Sequence, residues 1–390
     1  MIAAITGWGL ATPLGLSASE TWRNLLAGRH IMDHARVPTP PMPSRARVSQ
    51  LALIAACEAL SQSNWSDEFL HDDQTAVVIG TSKGPVEEWL TPPWGNTANP
   101  YADNIGAAGY GLAQIATDLA EDLQLGTGPR LTLSAACASG LHALIRATLM
   151  LKSGEAKRAL VVAVESSLHP LFQGCFQRLG VLPKPGVGCK PFDQHRDGFL
   201  MSEAAAAICL EAIDDSAQST SGLHIDCFAF GGAAGHLTAG EADGAVLQYL
   251  LTRVIDGRPI DLIHAHGTGT RVNDAVELAA IESVLANISS FASPILYSHK
   301  GALGHSLGAA GLVAIVLNCL MHTHGVIPPN VQTTTPLPTK RVILSQKMIS
   351  RPIHRSLIAA SGFGGPTAVV SIAGIDRNGP GSMISECHVR

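Results

Sequence analysis

Two predicted helices in this 390-residue chain are apolar on nearly every side, and they restrict the folds that the chain can adopt. The first covers residues 138–151 and the second residues 307–320. A helix that is apolar all round is buried on all sides, whereas a surface helix buries one face. The two helices must therefore lie at the centre of the molecule. Because there is one in each half of the chain, they also indicate an internal duplication.

Short runs typical of strands alternate with helical patterns along the chain, which predicts α/β layers around a largely parallel or mixed sheet. The predicted strands are residues 2–6, 76–80, 159–164, 206–210, 262–265, 357–361 and 368–372. The other predicted helices are residues 20–27, 51–61, 111–123, 244–254 and 274–286. Proline and glycine clusters predict loops at residues 37–44, 91–99, 183–188 and 231–240.

Breaks in this pattern predict the domain organisation. The charged, serine-rich stretch near residues 214–222 is predicted to join two halves, residues 1–215 and residues 216–374. Residues 375–390 lose periodicity and are predicted to form a mobile tail.

Composition and charge argue against several functions. The net charge is −5 and no run of Lys and Arg occurs, so we expect no nucleic-acid partner. The eight cysteines are scattered without a C-x-x-C pair, which predicts free thiols in a reducing, cytoplasmic setting. The apolar N-terminus has no preceding basic residue and predicts a buried strand, not a signal peptide. The long apolar stretches contain or follow polar residues, so we expect core helices and no membrane span.

Cys137 is the first candidate for chemistry. It lies in the small-residue turn Ser134-Ala135-Ala136-Cys137-Ala138-Ser139-Gly140, directly before the first apolar helix. Free amides and the dipole at a helix N-terminus favour a thiolate, so Cys137 is predicted to be a nucleophile. Free cysteines are more often inert and buried. We assign that packing role to the cysteines at positions 175, 189, 209, 227 and 319.

Two of the sixteen histidines, His266 and His305, stand in glycine-rich settings and are candidates for the same site. With Cys137 they suggest a site of acyl transfer. A metal site that includes His264 and His266 is not expected, because no carboxylate or cysteine stands at ligand spacing and no H-E-x-x-H helix occurs.

Six motifs follow one another in a single order along the chain. They are Gly7-Trp8-Gly9-Leu10-Ala11-Thr12-Pro13-Leu14-Gly15, Ala135-Ala136-Cys137-Ala138-Ser139-Gly140, Pro191-Phe192-Asp193-Gln194-His195-Arg196-Asp197-Gly198-Phe199, His266-Gly267-Thr268-Gly269-Thr270, Lys300-Gly301-Ala302-Leu303-Gly304-His305-Ser306-Leu307-Gly308-Ala309-Ala310-Gly311 and Gly362-Phe363-Gly364-Gly365. With these motifs the chain resembles a β-ketoacyl-acyl carrier protein synthase of the KAS I/II type. The resemblance extends from residue 1 to about residue 373.

The resemblance implies the thiolase fold, in which two similar halves form a five-layer α-β-α-β-α sandwich, usually as a homodimer. It also implies an acyl carrier protein as partner and no cofactor of the enzyme's own, because the phosphopantetheine arm arrives on the carrier. Cys137 would be the nucleophile. His266 and His305 would be the decarboxylation pair, since two Nε2–H donors can stabilise the enolate oxygen that forms when malonyl loses carbon dioxide.

The other site residues come from the same resemblance. Lys300 and Glu277 would form an ion pair that orients the histidines, although an ordinary surface pair is an alternative. Thr268 and Thr270 would bind the pantetheine amides.

Two phenylalanines complete the site that the resemblance implies. Phe363 would be the gating residue whose backbone N–H joins that of Cys137 in an oxyanion hole. Phe176 resembles the phenylalanine of the acyl pocket, although ordinary core packing is equally compatible with its sequence.

The function that follows is decarboxylative condensation of an acyl group on Cys137 with malonyl-acyl carrier protein, in fatty-acid or polyketide synthesis. The alternative is a non-condensing, chain-length-factor-like subunit in a heterodimer with another synthase. Two segments depart from the family pattern, residues 201–206 and Pro366-Thr367. Where glycine is replaced, φ-positive freedom is lost and space is filled, so we expect an altered loop or pocket near the nucleophile.

Overall fold

The computed structural model describes residues 1–42, 45–63, 65–90, 111–214, 222–234, 244–288 and 292–374. The predicted boundary at residues 215 and 216, the predicted loop at 91–99, residues 235–240 of the predicted loop at 231–240 and the predicted tail at 375–390 lie outside these residues.

Strands and helices alternate along the described chain as predicted. The strands are β1 (Ile2–Ala11), β2 (Thr75–Gly80), β3 (Arg130–Leu133), β4 (Arg158–Glu165), β5 (Ala204–Ile213), β6 (Leu223–Gly232), β7 (Leu262–His264), β8 (Ile295–Tyr297), β9 (Val326–Ile327), β10 (Ile343–Leu344), β11 (Ile349–Ser350), β12 (Arg355–Ser361) and β13 (Pro366–Gly374). The α-helices are α1 (Ala18–Leu26), α2 (Arg47–Ser63), α3 (Asp67–His71), α4 (Val86–Leu90), α5 (Gln114–Asp122), α6 (Ser139–Ser153), α7 (Pro170–Arg178), α8 (Ala245–Ile255), α9 (Arg271–Ala286), α10 (Lys300–Leu303) and α11 (Ala310–His324). A short 3-10 helix, Leu307–Ala309, precedes α11.

Strand order reveals the predicted duplication. In the large sheet of the described residues the order is β10-β8-β7-β12-β13-β6-β1-β5-β4-β2-β3, and β1 and β6 join its two halves. In the first half, the pairs β1–β5 and β5–β4 are antiparallel, and the pairs β4–β2 and β2–β3 are parallel. In the second half, the pairs β6–β13 and β13–β12 are likewise antiparallel, and the pairs β12–β7 and β7–β8 are parallel. The two halves therefore share one topology.

Helices cover both faces of each half-sheet, so successive strand residues enter different cores. In β2, Ala76 and Val78 face the central core, whereas Val77 and Ile79 face the outer core beneath α2 and α5. In the second half, α8 and α9 cover the outer face. Strands buried on both faces read as continuous apolar runs, which is why these strands could be predicted from sequence. The result is the expected five-layer α-β-α-β-α arrangement.

The central layer consists of α6 and α11, the two helices predicted to be apolar all round. They cross at glycines: a Cβ added to Gly140 would lie 2.9 Å from the Leu312 nitrogen, and one added to Gly311 would lie 2.8 Å from Leu141 Cγ. By length and composition alone Leu307–His324 could cross a membrane, but 83% of this 18-residue window is buried inside the protein. It is a core helix, as predicted.

Some elements were not predicted. β6 was missed because His224 and Asp226 interrupt its apolar run, but Asp226 is paired with Arg258 and Arg355, both at 2.8 Å. Helix α7 was also missed. Its Cys175 is exposed, so the packing role predicted for that cysteine is wrong.

Candidate active site

Cys137 lies at the tip of a tight turn between β3 and α6. Ala136 adopts a left-handed conformation, with φ of 48°. The Ser139 hydroxyl closes the turn, because it accepts from the Ala135 N–H at 2.9 Å and donates to the Ala136 carbonyl oxygen at 2.6 Å. Cys137 is buried, with 7% of its surface exposed. The turn thus holds the sulfur two residues before the helix begins.

The electrostatic setting of Cys137 differs from the expected one. Burial raises the pKa of its thiol to about 11, although the charges of Lys83 and Lys300 and the N–H of Phe363 act in the opposite direction. The prediction that the helix terminus would favour a thiolate is therefore not supported, because desolvation outweighs the local donors. A thiol is the resting form at neutral pH.

His266 follows β7, and its backbone is held from two sides. The Glu277 carboxylate accepts from the N–H of His266 at 2.6 Å and from the N–H of Gly267 at 2.7 Å. The Lys300 ammonium donates to the carbonyl oxygen of His266. Among the described residues Lys300 and Glu277 form no direct ion pair, so the structure differs from the predicted pairing. Both groups instead bind the peptide groups on either side of His266.

Both of these charged groups are buried, which excludes the alternative of an ordinary surface pair. Lys300 is 2% exposed and Glu277 is 3% exposed. Burial raises the pKa of Glu277 to about 7, and burial lowers the pKa of Lys300, while the attraction between them opposes each shift. Removal of either group would leave a buried charge without its counter-charge.

His305 is positioned through its backbone by one of the two departing segments. Its N–H donates to the Leu200 carbonyl oxygen at 2.7 Å, and its carbonyl oxygen accepts from the Ser202 N–H at 3.1 Å. Gly304, with φ of 74°, allows this approach, because a Cβ there would lie 2.9 Å from the Leu200 oxygen. Leu200 and Ser202 thus hold the backbone of His305 from both sides, and Ser202 belongs to the departing segment 201–206.

The two imidazole rings meet edge to face, with centroids 5.4 Å apart and planes at 81°. Burial, and secondly the charge of Lys300, lowers the pKa of His266 and of His305 well below the usual value. Both Nδ1 atoms are fully buried without a partner in the described protein, whereas neither Nε2 atom is. The lowered pKa values keep both rings neutral at physiological pH, and both histidines line the cavity described below.

One cavity of about 660 Å³ brings the predicted residues together. It is lined by Cys137, His266, His305, Thr268, Thr270, Glu277 and Phe363, among others. The hydroxyls of Thr268 and Thr270 lie 3.0 Å apart. A nucleophile, two neutral imidazoles and two hydroxyls thus share one space.

Phe363 occupies the turn between β12 and β13, and its backbone N–H donates to the Cys137 sulfur. The other departing segment shapes this turn. Pro366 begins β13, and its carbonyl oxygen accepts from the Gly362 N–H at 2.7 Å. The Thr367 hydroxyl bonds back to the same turn. Both departures from the family pattern therefore act on backbone that touches the site.

Phe176 lies behind this turn and does not line the cavity. Its ring centroid is 6.2 Å from that of Phe363 and 5.6 Å from that of Phe199. Phe199 in turn packs edge-on against His305 at 4.9 Å. Phe176 is thus part of an aromatic wall on the inner side of the site.

Two buried acids that support the site were missed from sequence. Asp274 accepts from the Phe192 N–H at 2.7 Å and from the Gly269 N–H at 3.1 Å, which fixes the glycine-rich loop after His266. Asp274 lies in the first turn of the helix that follows that loop, a signal that could have found it.

Glu165 joins the two halves of the site. Its carboxylate accepts from the Ser82 N–H at 2.9 Å and from the Gly308 N–H at 3.2 Å, and the Ser167 hydroxyl also donates to it. An acidic residue at the end of the apolar strand β4 was the available signal. Glu165 ties the segment before the second central helix to the first half.

Comparison with known proteins agrees with this geometry. The family model "Beta-ketoacyl synthase, N-terminal domain" matches residues 42–216, and "Beta-ketoacyl synthase, C-terminal domain" matches residues 229–334. Together they cover well over half of the chain, which therefore belongs to the beta-ketoacyl synthase family.

Individual relatives are similar over nearly their whole length. A putative polyketide beta-ketoacyl synthase 1 of Streptomyces cyaneus is 28% identical, over 95% of this chain and 97% of that protein. The mitochondrial 3-oxoacyl-[acyl-carrier-protein] synthase of Arabidopsis thaliana is also 28% identical, over 95% and 93%. Among solved structures, a chain of AntDE:AntF, a type II PKS acyl-carrier protein in complex with its ketosynthase bound to the hexaketide, has a TM-score of 0.84. It is 26% identical and covers 96% of this chain and 99% of its own.

Proposed function

We propose that this chain is a β-ketoacyl-acyl carrier protein synthase. It condenses an acyl group held on Cys137 with malonyl-acyl carrier protein and yields 3-oxoacyl-acyl carrier protein and carbon dioxide. The observation that carries this proposal is the convergence of Cys137, His266 and His305 on one cavity, in a chain of the beta-ketoacyl synthase family.

Acylation comes first. The Cys137 sulfur attacks the thioester carbon of the incoming acyl carrier, and the pantetheine sulfur leaves with the thiol proton. The oxygen of the tetrahedral intermediate becomes negative, and the N–H groups of Cys137 and Phe363 stabilise it. The Phe363 N–H already points at the sulfur, which supports this role.

Decarboxylation of malonyl comes second. The bond between the carboxylate and the α-carbon breaks, carbon dioxide leaves, and the electron pair forms an enolate on the thioester. Neutral His266 and His305 donate Nε2–H bonds to the enolate oxygen. Their lowered pKa values suit this work, because a donor aimed at a developing anion needs no proton transfer.

Condensation comes last. The enolate carbon attacks the acyl carbon on Cys137, a carbon–carbon bond forms, and the sulfur leaves as a thiolate. The thiolate takes a proton from water, which restores the buried thiol. Lys83 and Lys300 stabilise the transient thiolate, since their charges favour that form.

An acyl carrier protein is the proposed partner, and its phosphopantetheine arm enters through the cavity, so that the enzyme needs no cofactor of its own. Thr268 and Thr270 bind the amides of that arm. The exposed side chains of Leu179 and Val272, 46% and 66% accessible, stand where the cavity opens. We propose a cytoplasmic homodimer, with a heterodimer of two synthase-like chains as the alternative.

The experiment is a complete reaction with the purified chain, an acyl-carrier protein thioester and malonyl-carrier protein. Mass spectrometry of the carrier should detect the 3-oxoacyl product, and Cys137→Ala should abolish it. The non-condensing, chain-length-factor-like role is not favoured, because the nucleophile and both histidines are present and assembled. Absence of product with every donor, alone or with a partner synthase, would refute the proposed function.

A further inference from the structure

One lysine beside the candidate site has no assigned part in choosing the acyl group. Lys83 is half-buried in the loop after β2. Backbone contacts fix this loop on two sides: the Thr81 N–H donates to the Leu133 carbonyl oxygen at 3.1 Å, and the Ser82 N–H donates to the Glu165 carboxylate at 2.9 Å. Leu133 ends the strand that leads into the nucleophile turn. The lysine is therefore anchored next to that turn.

The ammonium group of Lys83 lies at the end of the aromatic wall. Its Nζ is 5.2 Å from the ring centroid of Phe172 and 5.6 Å from that of Phe176, distances typical of cation–π contacts. Phe176 is 6.2 Å from Phe363, whose N–H reaches the Cys137 sulfur. A row of side chains thus runs from the nucleophile past two phenylalanines to a positive charge.

That charge forms no direct ion pair within the part of the chain that the structure describes. Its hydrogen bond is to the Ser82 hydroxyl, at 3.0 Å, and this hydroxyl donates in turn to Glu165 at 2.5 Å. The charge acts on the reacting groups: it opposes the burial that raises the pKa of Cys137, and it adds to the burial that lowers the pKa of His305. Lys83 therefore belongs to the environment of the site.

We propose that Lys83 is a specificity residue that binds a carboxylate at the far end of the acyl group carried by Cys137. This inference rests on the proposed function. The methylene groups of such a chain would leave the cavity past Phe363, which lines it, and pack along Phe176 behind that turn. The terminal methyl group of an alkyl chain would displace water from the Lys83 ammonium without replacing the hydrogen bonds of that water. A terminal carboxylate would instead accept a charge-assisted hydrogen bond from the ammonium. The preferred donor is thus the half-thioester of a dicarboxylic acid.

The test compares carrier-protein thioesters in pairs of equal length: succinyl with butyryl, adipyl with hexanoyl, and suberyl with octanoyl. Intact mass gives the initial rate of acylation at Cys137 for each donor. For at least one length the carboxylated donor should react about tenfold faster than its alkyl partner, the effect expected of one hydrogen bond between charged groups. Lys83→Met should lower that ratio about tenfold, and Lys83→Arg should keep it above one.

Lys152→Met is the matched control. Lys152 also lies over an aromatic ring, with its Nζ 5.4 Å from the centroid of Phe228, but it is exposed in the last turn of α6. This variant should leave the ratio unchanged. A ratio below one at every length, or a ratio that Lys83→Met does not alter because both rates fall together, would overturn the inference. Absence of any adduct on the wild-type chain would instead refute the proposed function itself, and with it this inference.

Discussion

The backbone of His266 offers the sharpest test of how the site is built. Glu277→Gln preserves size but replaces one carboxylate oxygen by an amide nitrogen, which cannot accept from the N–H of His266 or Gly267. Above pH 7, where this carboxyl is ionised, those N–H groups donate at 2.6 and 2.7 Å to a charged acceptor. Loss of one such bond costs about 1.5–3 kcal/mol. If the lost bond displaces His266 and this free energy is added to the barrier of decarboxylation, that step should slow by about ten- to hundredfold.

The assay measures two steps separately on the same preparation. Release of labelled carbon dioxide from malonyl-carrier reports the enolate step, and the intact-mass adduct reports acylation at Cys137. Decarboxylation should fall more than acylation. Glu282→Gln is the control, because Glu282 on the same helix also accepts two backbone N–H groups, from Lys340 at 2.8 Å and Arg341 at 3.0 Å, but away from the cavity. Equal losses in both steps, or no loss, would refute the reasoning.

Three further predictions follow from the same geometry. His305→Ala should still form the Cys137 adduct but release little carbon dioxide, and unchanged release would show that the ring does not stabilise the enolate. Because lowered pKa values keep both imidazoles neutral, carbon dioxide release by Glu277→Gln, which removes the carboxyl with a pKa of about 7, should stay level from about pH 8 to about pH 6; an acid limb with a midpoint near 6.5 in that variant would contradict this. A Cβ on Gly308 would lie 2.4 Å from the Ser82 nitrogen, so Gly308→Ala should lower the free energy of unfolding by about 1–3 kcal/mol. Calorimetry checks this against Gly174→Ala, whose Cβ meets nothing within 4 Å.

The fold was largely predictable because its strands and central helices have a pattern that burial imposes. Strands β2 and β4 are apolar at successive positions since both faces of the sheet are covered. Helix α11 is buried from Ala310 to Met321. By contrast, β6 contains Asp226, and only the fold brings Arg258 and Arg355 to it. A long-range ion pair of this kind leaves no local signal.

The site also has one part that the sequence predicts and another that it does not. Cys137, His266 and His305 stand in glycine-rich motifs, because tight turns and close backbone approach require small residues there. The supporting contacts join segments far apart in the chain, such as Glu165 with the Gly308 N–H at 3.2 Å, and sequence spacing does not encode them. For the same reason the burial that raises the pKa of Cys137 could not be foreseen from its helix-start position.

The central claim is that Cys137 carries the acyl group, and intact-mass analysis after incubation with acyl-carrier protein thioesters tests it most directly. The wild-type chain should gain the mass of one acyl group, peptide mapping should place it on Cys137, and Cys137→Ala should show no adduct. Absence of an adduct with every donor, or an equal adduct on Cys137→Ala, would contradict the account.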